Sequence, residues 1–127
     1  MTDPALAQSQ RLRPVFELSC PDGDSAMQQA LCGALQQALQ QAVPHAVIRM
    51  GDSVAPVAGS LAIRLLPERE TRHAMAARLS WKTDQAADWV MGPDVALDSA
   101  DVALRPHMME QLAQGLLKVS KLPLPAV

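Results

Sequence analysis

The chain of 127 residues has no tyrosine and no asparagine, a single phenylalanine (Phe16) and two tryptophans, Trp81 and Trp89. With so few rings, the core must be built from aliphatic side chains and methionine. Little aromatic surface is left for stacking unpaired bases. Positive charge is not in excess either, at 11 basic against 13 acidic residues and a net charge of −2. Domains that grip phosphates carry a basic surplus, so a nucleic-acid partner is not expected. No apolar run approaches the roughly 20 residues that a membrane-spanning helix needs, so no membrane span is expected. The opening residues show no basic stretch followed by an apolar segment and a small-residue cleavage site. A cytoplasmic location is therefore the expectation.

Motifs with chemistry built into them are also missing. The six glycines are scattered and form neither GxGxxG nor a Walker-type loop, and there is no HExxH or GxSxG. His45, His73 and His107 stand alone, without a second histidine at helical spacing. Cys20 and Cys32 lack CxxC spacing and are read as two buried thiols of a reducing compartment. Cys32 falls beside an apolar helical stripe, where a thiol would be packed and unreactive.

What is present is 49% hydrophobic and 19% charged, the balance of one small globular domain. Alanine occurs 21 times and arginine outnumbers lysine eight to three, a usage associated with bacteria of GC-rich genome. Residues 1–13 lack periodicity and read as a flexible leader. Residues 14–122 form a single α+β domain, and 123–127 a C-terminal tail.

Alternation over 15–20 (VFELSC) predicts a strand with Phe16, Leu18 and Cys20 on its buried face. The sequence PDGD at 21–24 supplies a turn, and Ser25 or Asp24 a helix N-cap. From Ser25 to Ala42, Met27, Leu31, Leu35, Leu39 and Ala42 recur at helical spacing, and Pro44 closes the element. Strands follow at 45–50, 61–66 and 74–82, the last with Met75, Ala77, Leu79 and Trp81 inward. The charged stretch PERETRH at 67–73 is read as a hairpin end. Placing Leu65 opposite Met75 on one face requires a loop of odd length, three or five residues. Either 89–91 or 95–97 gives a short further strand, interrupted at Gly92-Pro93. A final helix runs from about Arg105 to Lys121, with Met109, Leu112, Leu116 and Val119 as its stripe. The expected fold is therefore α+β: a mixed, mostly antiparallel sheet of four to five strands with two helices packed on one face, in the order β-α-β-β-β-β-α.

Three features invite a functional reading. The loop Cys20–Ser25 carries Asp22 and Asp24, weak candidates for a divalent metal, although a turn with a helix cap accounts for the same residues. Charge is segregated: residues 49–82 carry a balance of +3 and residues 83–101 a balance of −5. The simpler account is an acidic connection folded over a basic sheet face in exposed pairs worth little each. The first helix is the most unusual. Gln28, Gln29, Gln36, Gln37, Gln40 and Gln41 fill its polar positions, and no charge occurs from Ser25 to Val43. Solvated faces usually carry Glu, Lys and Arg, and amides lose less than charges do on leaving water. The expected function is non-enzymatic: an accessory or structural subunit, or a homo-oligomer, binding a protein partner through Gln29, Gln36, Gln37 and Gln40, with no cofactor and no metal. The alternative is a small-ligand or metal-binding domain or enzyme at the acidic loop 20–25.

Overall fold

A computed structural model describes residues 14–21, 25–51, 60–84 and 88–123. The first strand, β1 (Val15–Ser19), leads into helix α1 (Ala26–Ala42), and the chain returns as β2 (Val47–Met50). β3 (Ser60–Glu70) and β4 (Ala74–Thr83) form a long central hairpin. Two short strands, β5 (Val90–Met91) and β6 (Val95–Asp98), precede a single 3₁₀ turn at Pro106–Met108 and helix α2 (Met109–Ser120). The sheet runs β2-β1-β3-β4-β5, with β6 also on β4. β1 pairs in parallel with both β2 and β3, while β4 is antiparallel to β3, β5 and β6. The α+β class and the two helices are as expected, and among the described residues the strands number six because both candidate segments after residue 88 pair with β4.

The registers explain which face is buried. Phe16 faces Leu61, Leu18 faces Ile63, Ile63 faces Trp81, and Leu65 faces Leu79. Cross-strand partners share a face, so these apolar residues make one surface, and all lie in a single core cluster with Leu31, Leu35, Leu39, Leu112 and Leu116 of the helices. The opposite face carries Glu17, Arg49, Arg64, Arg78 and Lys82. There Arg78 is paired with Glu68 and with Asp94, the latter at 2.9 Å. An acid from the negative segment thus reaches the basic face.

Several local expectations change. Strand β3 does not stop before Pro67; it continues to Glu70 and shifts register between Pro67 and Arg69. Proline donates no ladder hydrogen bond and is tolerated beside a bulge, so the charged stretch is strand and only residues 71–73 turn. Leu65 therefore lies opposite Leu79, not Met75. In α2 the buried positions are Met109, Leu112, Ala113, Leu116 and Ser120, while Val119 is exposed. Ser25 is the N-cap of α1: its Oγ accepts from the Gln28 amide at 3.2 Å and donates to the Glu70 carboxylate at 2.7 Å.

The largest correction concerns the cysteines. Cys20 and Cys32 form a disulfide. They are 12 residues apart, and neither spacing nor composition announces the bond. The fold sets Cys20, just past β1, against the second turn of α1, with the two Cα atoms 6.1 Å apart, within bridging distance. Cys32 is thus neither a free thiol nor merely a packed one.

Gly92 explains how two strands share one edge of β4. Its amide donates to the Leu79 carbonyl at 2.8 Å, and a Cβ built there would lie 2.8 Å from Cζ3 of Trp81 and 3.1 Å from Oγ of Ser120. Gly92→Ala must displace the indole from the core, and overpacking of this kind costs about 1–3 kcal/mol. A urea titration with unchanged midpoint would contradict that close approach.

Candidate interaction groove on the first helix

Helix α1 buries Leu31, Leu35, Ala38 and Leu39 and has no acidic residue in its first turn and no basic residue in its last. Burial of the leucine stripe turns the remaining positions outward. Gln36, Gln37 and Gln40 line an open groove of about 640 Å³, whose floor is Ala30, Gly33 and Ala34. Its opposite wall comes from the 3₁₀ turn and the start of α2, through Pro106, His107 and Glu110. A smaller depression of about 70 Å³ continues it between the helices, lined by Gln37, Gln41, Glu110 and Gln114.

Three of the four glutamines singled out in the sequence therefore converge, and Gln29 does not line the groove. Gln40 has a second task. Its Nε2 donates to the carbonyls of Pro44 at 2.9 Å and Ala46 at 3.0 Å, holding the chain that leaves the helix. Gln36 and Gln37 are the amides most available to an incoming surface. The far wall is not marked in the sequence, because roughly seventy residues separate it from α1 and only tertiary packing brings it near.

Gly33 stands out on the floor. A Cβ placed there would meet nothing within 4 Å. Glycine in a helix interior costs about 1 kcal/mol relative to alanine, and no contact among the described residues requires so small a side chain at this position.

Other sequence candidates are placed as follows. Asp22 and Asp24 lie outside the described residues. Among the described residues, no group of three or more His, Cys, Asp or Glu is arranged to hold a metal ion. His45 is exposed at the turn after α1, and His107 belongs to the groove wall. His73, at the hairpin tip, sets Nδ1 within 3.1 Å of the Ser99 carbonyl and 3.0 Å of the Val102 carbonyl. Backbone amides of Ser99 and Leu104 donate to the carbonyls of His73 and Arg72. The tip thus anchors the connection that leads to α2, a structural duty. Among the described residues, no helix is long and apolar enough to cross a membrane.

No protein-family model, curated protein or solved structure matches the chain. The functional reading therefore stands on the groove and its chemistry alone.

Proposed function

We propose that this chain is a non-enzymatic association domain, an accessory or structural subunit or a homo-oligomer, that docks another protein surface in the groove of α1. The observation that carries the reading is a charge-free helix whose amides, Gln36 and Gln37, flank a floor of small residues. Such a floor lets a neighbouring backbone or side chain approach closely, and the α1 amides can hydrogen-bond to it at a lower desolvation cost than charges would incur, leaving Glu110 on the far wall as the acid a partner must match. The alternative, a catalytic or metal site at the loop 20–25, turns on Asp22 and Asp24, which lie outside the described residues.

The covalent structure bears on the location. The expectation of a cytoplasmic protein rested on the opening residues, whereas disulfides form and persist in oxidising compartments. The Cys20–Cys32 bridge supports placement in such a compartment.

Two substitutions at one position test the groove. Gly33→Ala is expected to stabilise the fold by about 0.5–1 kcal/mol, because helix propensity improves and nothing is struck. Gly33→Trp fills the floor and is expected to abolish self-association in sedimentation equilibrium while leaving the circular dichroism spectrum unchanged. A wild-type chain that stays monomeric to near-millimolar concentration removes the homo-oligomer. If its Gln36 and Gln37 side-chain amide resonances are also unmoved by extract of the host, the association reading is lost.

A further inference from the structure

The groove of α1 is complementary to itself. Its α1 lining is Ala30, Gly33 and Ala34, followed by Gln36, Gln37 and Gln40. Reversing the helix about the level of Leu35 leaves that set unchanged. The reversal exchanges Ala30 with Gln40, Gly33 with Gln37 and Ala34 with Gln36, so every small residue changes places with an amide. Leu35 itself is fully buried in the core. A second copy laid antiparallel on the first therefore brings each long side chain level with a hollow, in both directions.

Two-fold pairing also accounts for what α1 lacks. In an isologous contact the same patch serves both sides, and residues close to the axis lie near their own copies. A charge there would face its like, whereas an amide both donates and accepts and can bond to another amide. A different protein would be steered and kept in register by opposite charge, and α1 carries none. Gly33 fits the same account. Among the described residues nothing lies within 4 Å of a Cβ at that position, yet glycine weakens a helix. A hollow for Gln37 of another copy gives the glycine a use. On the far wall, the two-fold reverses the order of His107 and Glu110, so each acid is offered an imidazole N–H from the other copy.

We infer that the occupant of the groove is a second copy of this chain, packed α1 against α1, antiparallel, with the two-fold axis at the level of Leu35. This pairing rests on the association reading above and names its partner. The paired stretch, residues 30–40, is about 15 Å of helix. So short a seam gives a weak dimer.

Cysteine pairs test the axis. With Cys20 and Cys32 joined, an introduced cysteine is the sole thiol of the chain. Gly33→Cys and Gln37→Cys chains, mixed and oxidised, should form the cross-link between positions 33 and 37 in about tenfold excess over self-cross-linking of either chain. In a parallel dimer each variant would instead cross-link to itself. Charge pairs test the identity of the partner. Gln37→Glu and Gln37→Lys chains should each dimerise about tenfold more weakly than wild type in sedimentation equilibrium, and an equimolar mixture should recover the wild-type constant. Both substitutions place a good helix former at an exposed position, so the circular dichroism spectrum should be unchanged. A dimer that cross-links 33 to 33 and 37 to 37, but not 33 to 37, overturns this pairing and leaves the association reading standing. So does a chain that is monomeric at near-millimolar concentration while host extract moves its Gln36 and Gln37 amide resonances. A dimer indifferent to Gln37→Glu, or a mixture that recovers nothing, overturns the pairing as well. A monomeric chain with those resonances unmoved removes the pairing and the association reading together.

Discussion

Reduction of the Cys20–Cys32 bridge is expected to lower the unfolding free energy by about 3 kcal/mol, the loss of chain restriction for a closed loop of this length. For a domain of this size, such a loss moves the thermal midpoint down by roughly 10–20 °C. The bridge joins the end of β1 to α1, so without it the helix must find its place on the sheet through packing alone. The double substitution Cys20→Ser with Cys32→Ser should reproduce the reduced midpoint. The oxidised chain should take up no iodoacetamide until unfolded with reductant. A midpoint insensitive to reductant, or two thiols alkylated in the native protein without it, would show that the cysteines are not joined.

Phe16→Ala is expected to remove about 3–5 kcal/mol, as truncation of a buried ring leaves a cavity its neighbours cannot fill. Phe16 is 2% exposed, is the only phenylalanine, and lies between Ile48 of β2 and Leu61 of β3. It therefore couples the two parallel pairings of the central strand. Small domains have about 5–15 kcal/mol of stability in total, so the variant should be close to unfolding at ambient temperature. Phe16→Leu, which keeps most of the volume, should cost less than half as much. Equal losses from the two variants in urea titrations would mean that the ring itself contributes little to the packing.

The elements most legible in the sequence were those with a strong period. The Leu31, Leu35, Leu39 stripe of α1 and the Met75, Ala77, Leu79, Trp81 alternation of β4 became buried as their spacing predicts. Legibility failed where a distant contact decided. Pro67 looked like the end of a strand, yet a bulge allowed β3 to pass it. Val119 shares a helical period with Leu112 and Leu116 but is exposed, the buried face running through Ala113, Leu116 and Ser120 instead. The disulfide was hidden because two cysteines at a spacing of 12 carry no signature until the fold sets α1 against the end of β1. At the groove, the amides were visible in the sequence and the wall facing them was not.

The break at Gly92-Pro93 has a consequence for behaviour in crowded solution. It divides one margin of the sheet into ribbons of two and four residues, β5 and β6, and the other margin, β2, is also only four residues long. Unpaired strand margins are where foreign chains add and fibrils begin, and brevity blunts them. Neither end strand is long enough among the described residues to template cross-β growth, and the longer margin of β3 past Ser19 carries Pro67, Glu68, Arg69 and Glu70, which blunt it. Concentrating this protein should accordingly favour finite complexes over ribbons.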